Sequence, residues 1–371
     1  MADEDKVLVI PDQLIKTRDS LGMQPEEVAN ALGIDVEALS NWEKGASQPH
    51  LEYLWDLAEL YQRSTDYFLR QAPALPEHLS FRLERRKAMQ DLPPEVRRVI
   101  VRFDELCRAE AELEEAVQEP RKILIKKVGE DYSPQELADT ERKRLDLGEQ
   151  PIKDLRKLLI NQGVRIFTLP IPEIPANELS GMSWWHDAYR PCILLNGKNN
   201  AGRRQFTLAH EYAHLLRADP PTVCAFMLDI PDERFANQFA AVFLMPAAGL
   251  ERLYIQLMGQ HGRLPTDPEL GILADHYGVS LEAMGRRLEY LGLIPKGTTD
   301  LRIAEWQKWK PEHFRTARGP RWRRQLGEEF VSLAIKAYSR ERISLSKLAK
   351  YLGQDLRTVL KAAEETRHRE V

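Results

Sequence analysis

Phe206–Asp219, FTLAHEYAHLLRAD, is the stretch on which the reading of the whole chain turns. It holds His210, Glu211 and His214, the H-E-x-x-H pattern. On a helix, positions i and i+4 share one face about a turn apart, so two imidazoles at that spacing can bind one divalent ion. Zinc suits such a pair best. Glu211 points beside the pair, where its carboxylate can take a proton from a water on the metal instead of binding the metal itself. Phe206, Leu208, Ala209, Ala213, Leu215 and Leu216 make the segment apolar enough for a buried helix. The competing reading is two histidines on an ordinary amphipathic helix.

Zinc peptidases need a third protein ligand and keep a fourth position open for water. The downstream candidates are Asp219, Cys224, Asp229, Asp232 and Glu233. Glu233–Pro246, ERFANQFAAVFLMP, reads as a second helix, with Phe235, Ala236, Phe239, Ala240, Phe243 and Leu244 at helical spacing. Glu233 lies in its first turn and aims at the same metal if the two helices pack. Phe-Thr-Leu-Ala-His-Glu-x-x-His followed by Glu-x-x-Ala-Asn-x-Phe-Ala-x-x-x-Leu-Met-Pro resembles the ImmA/IrrE family of metallopeptidases. That resemblance implies a zincin-like fold, Glu233 as third zinc ligand beside His210 and His214, and Glu211 as the general base. It also implies cleavage of a cognate transcriptional repressor in a stress or mobile-element circuit. The chain departs from the pattern at Tyr212-Ala213, where relatives often carry Leu-Gly; neither is a ligand position.

A length of 371 residues allows two or three domains. No run has the apolar length of a membrane span, and the opening Met-Ala-Asp-Glu-Asp is acidic where a signal peptide is basic. Cys107, Cys192 and Cys224 are odd in number and widely spaced, which argues against a disulfide framework and for a reducing cytoplasm. Each cysteine reads most simply as buried packing. The net charge of −4 conceals two poles. Residues 1–70 carry 6 Lys/Arg against 14 Asp/Glu, while residues 301–371 carry 17 against 9. Such poles attract each other or serve different partners.

From Ile10 to Leu69 the pattern is a bundle of short helices. Pro11 and Pro25 open two of them, Gly22 and Gly33 end them, Asp35 caps a third that stops at Gly45, and Pro49 starts a fourth. Two short helices across Gly33-Ile34 have helix-turn-helix form. With Ala29, Gly33, Trp42-Glu43, Gly45 and Pro49, QPEEVANALGIDVEALSNWEKGASQP resembles the Xre, or Cro/C1-type, DNA-binding module. In such a module the third helix enters the major groove, so Val36, Glu37, Ser40, Asn41 and Lys44 are the candidate DNA contacts. The acidic charge of this end opposes phosphate binding, so protein contact or dimerisation competes with operator binding.

Gln71–Pro76 reads as a linker, and Pro94–Val117 as a long helix with Val99, Ile100, Phe103, Leu106, Leu113 and Val117 on one side. Ser133 and Glu136 form a capping box for a helix ending near Gly148, and Pro151–Gly163 carries another. Three β-rich runs follow: Val164–Ile171, Ser180–Asp187 and Tyr189–Lys198. Zincins hold a peptide by pairing it with an edge strand, and Gly181–Trp185 is the candidate for that edge. His186 reads as a surface histidine in a turn. Gly271–Ile294 is a helical pair turning at Gly278, with His276 structural. Trp306–Gln325 interleaves tryptophans with Lys and Arg, a composition suited to nucleic acid or to docking on the acidic end. Ile343–Ala363 has helix–Gly–helix form and is either a second helix-turn-helix or a packing unit.

The expected architecture is mainly α with a small β-sheet (α+β). It runs from an all-α helix-turn-helix bundle at 1–70 through a linker and long helical spacer at 71–130. A zincin-like metallopeptidase domain follows at 131–300, then a basic helical region at 301–371. The expected function is a zinc-dependent endopeptidase coupled to a DNA-binding regulatory module, with Zn²⁺ as the one cofactor. Its expected partners are a double-stranded operator and a protein substrate or cognate regulator; a toxin and a second copy of the chain are further candidates, and a membrane is not one. The alternative is a non-catalytic DNA-binding regulator, or antitoxin-like protein, whose zinc fold senses or binds a partner.

Overall fold

Prolines at first turns open α1 (Pro11–Ser20) and α2 (Pro25–Leu32), Gly33 ends α2, and α3 (Val36–Glu43), α4 (Leu51–Leu60) and α5 (Thr65–Leu69) complete the N-terminal bundle. The long helix α6 (Pro94–Ala116) follows, then α7 (Pro134–Arg144), whose Ser133–Glu136 capping box is present, and α8 (Leu155–Asn161). Strands β1 (Arg165–Leu169), β2 (Leu179–His186) and β3 (Arg190–Asn196) precede α9 (Ala201–Arg217), β4 (Thr222–Ala225) and α10 (Pro231–Leu244). The chain continues through α11 (Ala247–Met258), α12 (Asp267–Tyr277), α13 (Leu281–Tyr290) and α14 (Thr298–Trp306). It closes with α15 (Arg321–Leu326), α16 (Glu328–Ser339), α17 (Leu345–Leu352) and α18 (Leu356–Arg367). The computed structural model describes residues 9–61, 63, 65–69, 92–128, 131–172, 179–186, 189–219, 222–225, 231–259, 263–306 and 320–367. The linker expected at Gln71–Pro76 and the middle of the Trp306–Gln325 stretch lie outside them. No described helix is long and apolar enough to cross a membrane. The fold is mainly α with a small mixed sheet.

The sheet has the order β1-β3-β2-β4, with β1 parallel to β3 and the other pairings antiparallel. Strand alternation divides its side chains between two cores. Ile166, Ile193 and Leu195 join Tyr212, Phe239, Phe243 and Met284 on the face covered by α9 and α10. Phe167, Leu194, Met182 and Trp184 join α6 on the other face, where Phe103 meets Trp184 edge-on at 4.8 Å and Phe330 of α16 meets Phe167 at 5.3 Å. The N-terminal bundle and α16–α18 belong to this second core.

Helix α6 buries charge as well as apolar surface. Arg63, after α4, places Nη1 2.8 Å from Asp104 Oδ2 with both side chains buried. Farther along, Arg165 of β1 grips Glu114 through both Nη atoms, at 2.6 and 2.9 Å, and Arg121 joins the same cluster through Glu110 and Glu114. Each cation meets its carboxylate directly, which sets the register of α6 against the bundle and the sheet.

Three expectations need correction. Of the edge expected at Gly181–Trp185, Gly181–Ser183 is covered, because β4 pairs with β2 from Leu179 to Ser183 and takes the outer position there. His186 is not a surface turn residue. It ends β2, is 4 % exposed, stacks on Tyr189 at 3.9 Å and has Nε2 3.8 Å from Asp104, on the face away from the H-E-x-x-H helix. Asp35 occupies the N-cap of α3 but makes no side-chain capping bond.

Candidate metal centre and DNA-facing helix

Helix α9 begins where Asn200 accepts a hydrogen bond from the Arg203 amide, and ends at Ala218 in the left-handed region. Between these ends His210 and His214 fall one turn apart, and α10 packs across them. His210 Nε2 lies 3.2 Å from His214 Nε2 and 3.0 Å from Glu233 Oε2, and His214 Nε2 lies 3.5 Å from Glu233 Oε1. One ligand atom from each of the three residues can be chosen so that all lie within 4.8 Å of one another. Ligands about 2.0–2.1 Å from a tetrahedral ion stand roughly 3.3 Å apart, so the donor set fits zinc in both chemistry and spacing.

The opposite ring nitrogens are held as well. Asn237, one turn after Glu233, places Oδ1 2.9 Å from His210 Nδ1, and Asp219 places Oδ2 2.7 Å from His214 Nδ1. With protons on both Nδ1 atoms, the Nε2 lone pairs converge on one point. The left-handed turn at Ala218 lets Asp219 fold back, with its amide donating to the His214 carbonyl at 3.0 Å. Burial disfavours charge on His214, yet its bonds to Asp219 and Glu233 outweigh burial and push its pKa up to about 9. Burial likewise opposes ionisation of Glu233, and hydrogen bonds to His210 and His214 overcome it, holding the carboxyl far below its usual range. The pocket therefore holds positive charge strongly, and a divalent cation can replace the histidine proton.

Glu211 stands beside this cluster. Burial pushes its carboxyl above the usual range, against the pull of the two histidines and of Ser183. Ser183 Oγ donates to Glu211 Oε2 at 2.7 Å. Two residues earlier, a Cβ on Gly181 would come 2.6 Å from Thr207 Cγ2 and 2.9 Å from Glu211 Oε1, so only glycine lets β2 approach α9 this closely. Sequence reasoning missed Ser183 and Asn237. The signals were the Gly-x-Ser alternation on one strand face and the four-residue spacing from Glu233. Among the other ligand candidates, Asp219 orients His214 instead of joining the cluster, and Asp232 pairs with Arg217 at 3.2 Å. Cys224 contributes its backbone to β4 opposite Gly181, and Asp229 lies outside the described residues. Tyr212 is a buried strut: its hydroxyl donates to Glu141 of α7 at 2.6 Å and accepts from Arg144 at 3.1 Å.

At the other end of the chain, α3 turns Leu39, Trp42 and Glu43 inward, and Glu43 is tied to Arg18 at 2.6 Å. Val36 is 38 % exposed, Glu37 and Lys44 are exposed, and Ser40 and Asn41 are half-buried. The five expected DNA contacts thus share one outward face.

The comparisons with known proteins match this division. The family model Peptidase_M78, IrrE N-terminal-like domain, matches residues 161–289, and the model HTH_3, helix-turn-helix, matches residues 14–68. No curated protein matches the chain. The chain therefore joins a helix-turn-helix module to an IrrE/ImmA-like Peptidase_M78 domain.

Proposed function

We propose that the chain is a zinc-dependent endopeptidase whose cleavage of a partner regulator is coupled to DNA binding by its N-terminal module. The observation that carries this reading is the convergence of His210 Nε2, His214 Nε2 and the Glu233 carboxylate, with Glu211 held at its side by Ser183. His210, His214 and Glu233 would hold the ion, with Asn237 and Asp219 fixing the two rings. Zinc bound there supplies Lewis acidity and lowers the pKa of a water. Glu211 accepts the proton of the attacking water and returns it to the leaving amine. Its buried setting, which raises its proton affinity, suits a group that must both take and release a proton. Val36, Glu37, Ser40, Asn41 and Lys44 would meet duplex DNA.

One observation favours the second reading, a regulator that binds zinc without turnover: His210, Glu211, His214 and Glu233 are all buried. A peptide must reach Glu211 for hydrolysis. The deciding experiment loads purified wild-type and Glu211→Gln protein with zinc and incubates each with a proteome-derived peptide library read by mass spectrometry. The peptidase reading expects new termini with wild type and none with Glu211→Gln, at equal zinc content. Identical termini in both, or none in either, would leave the regulator reading standing.

A further inference from the structure

Among the described residues, the left-handed turn that joins the two helices of the helix-turn-helix, a turn Gly22 also makes between α1 and α2, recurs at Gly278 and Gly353. Gly33, Gly278 and Gly353 end α2, α12 and α17 with φ/ψ of 66/33, 66/31 and 61/36. In each, the next amide closes the same bond: Ile34 to the Ala29 carbonyl at 3.0 Å, Val279 to Ala274 at 3.0 Å, and Gln354 to Ala349 at 3.1 Å. The second helix starts three residues after each glycine, at Val36, Leu281 and Leu356, and six residues after it comes a buried anchor, Leu39, Met284 or Val359. Three sequences far apart in the chain fold into one local geometry.

Their surroundings differ. In the middle copy Leu281 and Gly285 are buried, Gly202 of α9 fits only because it lacks a Cβ that would lie 2.8 Å from the Ser280 nitrogen, and Arg286 is tied to Asp300 at 2.9 Å. That copy braces the metal helix. The third copy keeps its face open. Counted from the glycine, Leu356, Arg357, Leu360, Lys361 and Glu364 occupy the places of Val36, Glu37, Ser40, Asn41 and Lys44. Leu356 is 49 % and Leu360 40 % exposed, Arg357 and Lys361 are exposed, and neither cation forms an ion pair among the described residues. Asp355, which would oppose phosphate, is occupied in capping α18 through Thr358.

We propose that α17–α18 is a second double-stranded DNA contact, which supplies through Arg357 and Lys361 the phosphate-binding charge that the acidic N-terminal copy lacks. The N-terminal half of a recognition helix is the part that enters the major groove, and on α18 that half carries both cations. The two leucines offer apolar contact of the kind that reads thymine methyl groups. Helix α17 meets α6 through Tyr351 and Lys347 on Glu112, so the unit is anchored while α18 faces outward.

The test uses the full chain and a labelled mixed-sequence duplex of about 30 base pairs, with fluorescence anisotropy followed between about 50 and 200 mM salt. Arg357→Gln/Lys361→Gln is expected to weaken binding on the order of tenfold. It should also flatten the slope of log affinity against log salt by about 2, with an unchanged melting temperature. Wild-type affinity and slope in that variant would overturn the proposal. So would a wild-type chain that fails to bind the duplex at the lowest salt. A third overturning result is Leu356→Ala/Leu360→Ala abolishing self-association in light scattering while leaving DNA affinity intact, which assigns the face to a second copy of the chain.

Discussion

On the α9 side of the sheet His210, Glu211, His214 and Glu233 gather their buried polar groups at one place; on the α6 side the buried carboxylates are strung along a helix. Along α6 every buried carboxylate has a cation supplied by the chain, as in Arg63–Asp104 and Arg165–Glu114. Around His210, His214 and Glu233 the chain supplies lone pairs and aims them at one another, with Asn237 and Asp219 behind them. Buried charge is structural where the counter-ion is written into the sequence. The function proposed above gives the other cluster a counter-ion from solution.

The sharpest way to break this contrast is on the metal side. Glu233→Ala is expected to reduce zinc from near one per chain to near zero, measured by metal analysis after exhaustive dialysis; full retention would remove Glu233 from the ligand set. Glu211→Gln should keep the zinc and lose roughly 10²–10⁴-fold in cleavage, the range of general acid–base catalysis. Next comes the α6 side, where Asp104→Ala strands a buried guanidinium. Denaturant unfolding should show a loss of about 3–5 kcal/mol, with zinc content per folded chain unchanged. A loss below about 1 kcal/mol would mean that the pair is dispensable.

A smaller effect sharpens the contrast at the seam between the two sides. Gly181→Ala forces β2 away from Thr207 and Glu211 and should cost about 1–3 kcal/mol; a crystal structure with β2 unmoved would contradict the close-approach argument. The smallest is Ser183→Ala. It should leave zinc and melting temperature alone and lower kcat by about tenfold, the scale of one hydrogen bond to a charged group, with KM unchanged. An altered zinc stoichiometry would show that Ser183 supports the ligands and not Glu211.

What could be read from sequence was whatever local periodicity controls. His210 and His214 share a face because four residues make about one turn, and Gly33 and Gly278 end helices because glycine tolerates the left-handed region. Glu233 required the motif that contains it. The edge strand was misread because β4 is four residues long and pairs with β2 from more than thirty residues away, beyond the reach of any local pattern. His186 was misread for the same reason: its burial depends on Asp104, in a helix that precedes the sheet. Ser183 could not be assigned to Glu211 until strand parity and the Gly181 approach fixed which face of β2 meets α9.

The anchoring of the last helices on α6 also sets a timetable for biosynthesis. Tyr351 bonds Glu112 across 239 residues of chain, and Lys336 bonds Glu119, just past the end of α6, across 217. At about 5–20 residues per second, a ribosome needs on the order of 10–40 s to deliver α16 after α6 has emerged. All elements around His210, His214 and Glu233 are made before α15, so that half can close early. Phe167 meanwhile awaits Phe330, which leaves part of an apolar face uncovered until the final helices arrive.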